Sequence, residues 1–221
     1  MWAQPAQTLL IQADIAFERG QYEKATVLYD SILNRERTVT QRMLQRQAYM
    51  AENRSAIPQT LYYLSLLYSL TQDDLIRLRL EALARQYQLE GYDYDEWDLF
   101  RQALRNYSPY ILGFFAGLVG VLVFLMFRRR RRGRPLRLLP LTIFLLLGTA
   151  ALLLNLNLRY GKAIVLEQDL ILMPSASAAA KPGSLVKAGT RLTVIGQDDA
   201  WLHVMHNGQP GYVNRFLVGY F

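Results

Sequence analysis

Two long stretches of this chain carry no charge at all, and between them lie ten residues that include seven arginines. The first stretch, YILGFFAGLVGVLVFLMF, runs from Tyr110 to Phe127 over 18 residues; the second, LLPLTIFLLLGTAALLLNLNL, runs from Leu138 to Leu158 over 21. A hydrocarbon core needs about 20 apolar residues at about 1.5 Å rise per residue, so each stretch is of spanning length, the first with help from interfacial Tyr107 or Ser108. The sequence therefore predicts a membrane hairpin, with spans at 108–127 and 138–158 and a turn at Gly133 and Pro135.

The arginines set its orientation. Arg128, Arg129, Arg130, Arg131, Arg132, Arg134 and Arg137 are seven of the 25 basic residues, and the remaining 18 balance the 18 acidic ones, so the net charge of +7 sits wholly in the loop 128–137. Basic residues in short loops resist translocation, which puts this loop in the cytoplasm and residues 1–107 and 159–221 on the opposite side. A two-pass protein of a bacterial inner membrane with periplasmic termini is expected. The loop has no aromatic platform and no groove-reading element, so nucleic acid is not the expected partner. The chain begins MWAQPAQ, and an export signal is supplied if residues 1–3 are the remnant of a signal peptide cut after Ala3, with Gln4 starting the mature chain. The chain has no cysteine, which leaves its redox compartment open.

Residues 8–35 show apolar positions at helical spacing on both sides of RGQYEKA, which predicts two antiparallel helices meeting at Gly20. Leu9, Ala13, Ala16 and Phe17 supply the inner face of the first, and Tyr22, Ala25, Tyr29 and Ile32 that of the second. The spacing from Ala13 through Gly20, Tyr22 and Ala25 to Tyr29 resembles the tetratricopeptide repeat. A second, degenerate unit follows in QRQAYMAENRSAIPQTLYYLSLLYSL, with Asn53 at the turn and Pro58 in the first turn of its second helix. Another helix is capped near Asp73 or Asp74, and one more begins near Asp95. Stacked pairs form a concave face lined by first helices, and in this register Asp14, Phe17, Gln47 and Met50 are the candidate partner-binding residues.

Past the second span the period changes to two. Alternation over Arg191–Ile195 and Trp201–Met205, with turns at QDD and NGQPG, predicts a small all-β barrel. The run resembles a bacterial SH3-like domain through Gly189, Trp201 and Gly211-Tyr212-Val213, and the resemblance makes Trp201, Tyr212 and Asn214 its candidate binding surface.

Helical repeats, membrane hairpin and SH3-like domain, in that order and with TLYYLSLLYSLTQDDLIRLRLEALARQ after the second repeat, resemble the BatE-like branch of the Bacteroides aerotolerance (Bat) operon family. The resemblance implies a scaffold or adaptor acting beside von Willebrand A domain proteins and a MoxR-type ATPase in tolerance of oxygen or envelope stress. The alternative is a cell-wall sensor that binds peptidoglycan through the SH3-like domain. Neither reading needs a cofactor or a metal, and an enzyme is not expected: no phosphate loop or Ser-His-Asp pattern appears. His203 and His206 lie three apart on a strand and so face opposite ways, and the cluster Asp93, Asp95, Glu96, Asp98 lacks the glycine and terminal glutamate of a calcium loop. Finally, Gly113 and Gly117 form a G-x-x-x-G pair, and Gly148 and Ala151 offer small surfaces opposite, which predicts close packing inside the hairpin.

Overall fold

The computed structural model describes residues 4–36, 39–93, 96–131, 139–158, 161–166, 168–177, 180 and 182–221. Residues 1–3, Asp95, Arg132, Gly133, Arg134, Pro135 and Arg137 therefore lie outside the described residues. The chain divides into two compact units, one made of Met1–Asp93 together with Gly161–Phe221, the other of Tyr94–Tyr160. Residues 1–107 and 159–221, expected from the sequence as separate domains, fall mostly within the first of these units.

That unit opens with five helices: α1 Gln4–Glu18, α2 Tyr22–Glu36, α3 Gln41–Asn53, α4 Ile57–Thr71 and α5 Asp74–Gln86. Local chemistry sets the boundaries. Thr40 caps α3 by accepting from the Met43 amide at 3.3 Å, Pro58 stands in the first turn of α4, and Asp73 caps α5 by accepting from the Leu75 amide at 2.9 Å. Three of the helices stop in the same way. Gly20, Ser55 and Gln88 adopt positive φ (72°, 55° and 53°), and the next amide in each case bonds back across the turn: Gln21 to Ala16 at 2.9 Å, Ala56 to Ala51 at 2.9 Å and Leu89 to Ala84 at 2.8 Å. The left-handed residue of the second turn is Ser55; Asn53, expected there, is still helical. A third turn of the same kind, not among the expected ones, follows α5.

The two complete pairs pack through small residues. Ala13, Ala16, Ala25, Tyr29 and Ile32 are buried as expected, whereas Tyr22, the first residue of its helix, is 37% exposed although its ring packs on Phe17 of α1. The YYLSLLYSL run makes α4 apolar nearly all round, and such a helix is stable only when covered on several sides. Seven of its residues are buried, from Thr60 and Leu61 to Tyr68.

A sheet supplies part of that cover. Strands β1 Gly161–Val165, β4 Arg191–Asp198, β5 Trp201–His206, β6 Gln209–Asn214 and β7 Val218–Tyr220 form an antiparallel sheet in the order β6-β5-β4-β1-β7, and β2 Leu170–Ile171 pairs with β3 Leu185–Val186 in a separate ribbon. The expected turns are present: Asp199 (φ 43°) ends β4, and Asn207-Gly208 (φ 48° and 77°) makes the tight hairpin that an Asn-Gly pair favours. Alternate residues Leu192 and Val194, Leu202 and Val204, and Val213 point into one core with Leu170, Leu172 and Val186 of the ribbon.

Sheet and helices are joined through the segment after α5. Here a third repeat would start its second helix, but Leu89–Asp93 is not helical and bends at Glu90 and Gly91 (φ 85°): the Arg191 amide donates to the Glu90 carbonyl at 3.0 Å, Arg191 Nε to the Gly91 carbonyl, and the Tyr92 hydroxyl to the Gly189 carbonyl at 2.8 Å. The Arg191 guanidinium also lies 4.9 Å from the centre of the Tyr92 ring. Elsewhere Gln59 donates to the Leu166 carbonyl at 3.2 Å, Lys187 Nζ to the Tyr87 carbonyl at 2.9 Å, and Tyr62 packs over Gly219 and against Phe221.

The second unit holds α6 Glu96–Arg131 and α7 Leu139–Leu158, which pack on each other. α6 is one continuous helix with Pro109 inside it. Among the described residues one helix, Pro109–Arg128, is long and apolar enough to cross a membrane. The expected second span coincides with α7, of which the shorter stretch Thr142–Ala151 is the apolar part among residues so described. Both helices turn large apolar side chains outward, Phe114, Phe124, Phe144 and Leu145 each being at least 66% exposed. The expected glycine seam is not formed: a Cβ at Gly113, Gly117 or Gly148 would meet nothing within 4 Å.

Candidate functional site

The first helices α1 and α3 carry the four residues expected on a concave face, Asp14, Phe17, Gln47 and Met50, but not all of them reach it. Gln47 (1% exposed) and Met50 (1%) are buried where α3 meets α2, so the expectation that they line an open surface is corrected. Gln47 Nε2 donates to Asp30 Oδ1 at 2.7 Å, and the Tyr63 hydroxyl donates to the same oxygen at 2.9 Å. Burial raises the Asp30 carboxyl above its usual range, against the two hydrogen bonds that lower it, and raises the Tyr63 phenol as well. The sequence hid this because a glutamine on a helix has no periodicity signal of its own.

Asp14 and Phe17 do meet at one place. Asp14 accepts from the Tyr29 hydroxyl at 2.5 Å and pairs with Arg46 at 2.7 Å; Arg46 also reaches Glu18 at 3.1 Å and donates to the Tyr29 oxygen at 3.1 Å. Burial is the main cause that pushes the Tyr29 phenol up to about 12, so it remains a neutral donor at physiological pH. The Arg46 guanidinium lies 4.6 Å from the centre of the Phe17 ring, which places a cation on an aromatic face with its charge already matched by Asp14 and Glu18. Phe17, Tyr22 and Tyr49 form a trio with ring centres 5.5–6.3 Å apart and tilted planes.

Tyr49 is half exposed and links the trio to a groove of about 270 Å³ between α3, α4 and α5. Leu64, Leu67, Leu75 and Ile76 form its apolar floor and wall, and Glu52 and Arg79, paired with each other, close one side. The groove is wide enough for one or two apolar side chains of a partner. Arg46 and Tyr49 are not among the expected site residues; the available signal is a basic and an aromatic residue on α3, about one repeat after the acidic pair Asp14 and Glu18 of α1.

On the sheet, Trp201 stands opposite Asn214 in register and His203 opposite Tyr212. The outward positions are thus half-exposed Trp201, His203, Tyr212 and Asn214, so the three expected surface residues share one face. His203 and Tyr212 stack in parallel, 4.7 Å apart with 9° between planes. Asn214 has a local task, its Oδ1 accepting from the Phe216 amide at 3.0 Å. His206 lies 3.3 Å from Glu90. Among the described residues no three histidine, cysteine or acidic side chains gather as a metal site. Of the seven arginines, Arg128–Arg131 form the last turn of α6.

Comparison of the chain with protein-family models, with curated proteins and with solved structures finds no match.

Proposed function

We propose that this protein is a membrane-anchored scaffold: a two-span hairpin, cytoplasmic at its arginine turn, holds a composite head of tetratricopeptide-like helices and an SH3-like sheet on the periplasmic side. The observation that carries the reading is the interlock of Glu90, Gly91 and Tyr92 with Gly189 and Arg191. Segments that pack against each other share a compartment, so the chain between Asp93 and Gly161 crosses the membrane an even number of times. With Pro109–Arg128 as one span, α7 is the return. The outward phenylalanines of α6 and α7 support a lipid surround, since apolar patches of this kind mark membrane or protein contact. The groove beside Tyr49, backed by an apolar floor, is the part of the head that takes a partner, and a Bat/MoxR-type envelope complex is the setting.

The chain has no cysteine, so single cysteines report topology cleanly. Cysteines at Gln7 and Asn207 should react with a membrane-impermeant maleimide from the periplasmic side, and one at Arg131 only after lysis. A cytoplasmic Gln7 or Asn207 site would refute the topology. Photo-crosslinkers at Tyr49 and Leu75 should give membrane-protein adducts that Val27 on α2 does not, with von Willebrand A or MoxR-type proteins among them if the Bat setting is right. The second reading, peptidoglycan binding, is favoured by the Trp201–His203–Tyr212 face; binding to sacculi that Trp201→Ala abolishes would move it ahead.

A further inference from the structure

One buried oxygen in the helical stack has no hydrogen to accept. Gln47 is 1% exposed, its Nε2 donates to Asp30 Oδ1 at 2.7 Å, and its Oε1 is buried without a donor. The Tyr63 hydroxyl donates to the same carboxyl oxygen at 2.9 Å, so both donors act on Oδ1 and none among the described residues acts on Oδ2. A buried acceptor left without a donor is costly, and nearly all such groups in folded proteins are paired. An ionised carboxylate only accepts, so it cannot provide the missing hydrogen; a protonated carboxyl can. Turning the Gln47 amide over does not remove the need. Its oxygen would then face Asp30 Oδ1 at 2.7 Å, a separation that two acceptors reach only with a proton between them.

The surroundings favour the neutral acid. Asp30 of α2 meets the Gln47 amide and the Arg54 guanidinium on the α3 side, and the Tyr62 and Tyr63 phenols on the α4 side. Toward α1 the charges are already matched, Asp14 with Arg46 around the Tyr29 hydroxyl. Arg54 opposes protonation, but its Nε donates to the Met50 carbonyl at 3.2 Å and not to Asp30. Burial outweighs it and holds the carboxyl above its usual range; burial raises both phenols as well, so Tyr63 stays a donor.

We propose that Asp30 is a proton-operated lock of the helical stack: protonated, it donates from Oδ2 to Gln47 Oε1 and closes a two-point acid–amide pair between α2 and α3; ionised, it leaves the amide oxygen orphaned and the junction loosened. Opening breaks one hydrogen bond and releases one proton to solvent. The lock is closed at low pH and opens as pH rises through the raised value of the carboxyl. Ala48 and Leu64, the chain neighbours of Gln47 and Tyr63, line the groove beside Tyr49, so lock and groove wall are built on the same two helices.

The test uses the full chain in detergent, and no arm of it needs a partner. Infrared difference spectra should show a protonated carboxyl well above about pH 4, the ordinary aspartate value, and Asp30→Asn should remove that band. With isotope-labelled glutamine, one side-chain carbonyl band should shift as the carboxyl band disappears on raising the pH, and Asp30→Asn should abolish the shift. The same substitution makes the closed lock permanent, because an amide presents one acceptor and one donor as the neutral acid does. Its melting temperature should match the parent's at acid pH and exceed it at alkaline pH, with the amides of α2 and α3 at least as protected from hydrogen exchange. Carboxylate bands alone in the parent, glutamine bands indifferent to pH, or an Asp30→Asn chain less stable than the parent at alkaline pH overturns the proposal. Asp30 is then an ordinary ionised partner, and Gln47 Oε1 takes its hydrogen from water.

Discussion

Gly91→Ala tests the joint between helices and sheet at its tightest point. Gly91 has φ +85°, and a Cβ there would lie 2.0 Å from the Arg191 carbonyl oxygen and 3.0 Å from its carbon. Those atoms are backbone in β4 and cannot rotate away, so the segment must lift off the strand. The left-handed backbone costs a residue with a Cβ about 1–2 kcal/mol. Lifting breaks the bonds from the Arg191 amide, Arg191 Nε and the Tyr92 hydroxyl, at about 1 kcal/mol each. The expected loss is about 4 kcal/mol, large against the roughly 5–15 kcal/mol that holds a domain folded. Gly20→Ala is the control: it has nearly the same φ, +72°, but nothing within 4 Å of its Cβ, so only the backbone term of about 1 kcal/mol applies. Denaturant unfolding of the solubilised chain gives both values, and hydrogen exchange at the Arg191 amide locates the opening. Equal losses for the two variants, or an Arg191 amide as protected in Gly91→Ala as in the parent, would refute the interlock.

Further expectations concern the helices. Tyr29 is fully buried between α1 and α2, so Tyr29→Ala should cost about 3–5 kcal/mol and lower protein abundance, measured by unfolding and by immunoblot. Tyr29→Phe should cost less, since it removes only the hydroxyl shared by Asp14 and Arg46. Because burial raises the Asp30 carboxyl, the folded state binds that proton more tightly than the unfolded one. Asp30 therefore favours folding below the ordinary carboxylate pKa, and that contribution is lost as pH rises through the raised value. Asp30→Asn should flatten the fall in melting temperature as pH rises above the ordinary carboxylate range; an unchanged slope would speak against a buried, titrating carboxyl. In the hairpin, Gly117→Leu should leave protein level and the α6–α7 contact unchanged, as read by cysteine crosslinking between the helices, because the site is open.

What the amino-acid order determined by itself is local. Uncharged runs of spanning length, the alanine and tyrosine spacing around Gly20, the Asp73 cap, Pro58 at a helix start, the two-residue alternation of Arg191–Ile195 and the Asn207-Gly208 turn each act through neighbours a few residues away, so each was legible. The third turn was legible too in principle, since Ala84 stands four residues before Gln88 as Ala16 does before Gly20. Burial of a given side chain is another matter, because it depends on what covers it. Gln47 and Met50 sit on α3 much as Tyr49 does, yet α2 covers the first two and leaves the third exposed. Nor does any short-range pattern tell that Leu89–Asp93 will leave the helical register and lie along β4, about 100 residues further on. That pairing rests on a glycine without a Cβ, the Gly189 carbonyl and Arg191 amide at the start of a strand, which take Tyr92 and Glu90 as partners, and a tyrosine placed under an arginine, features that acquire meaning only when the folded chain brings them together.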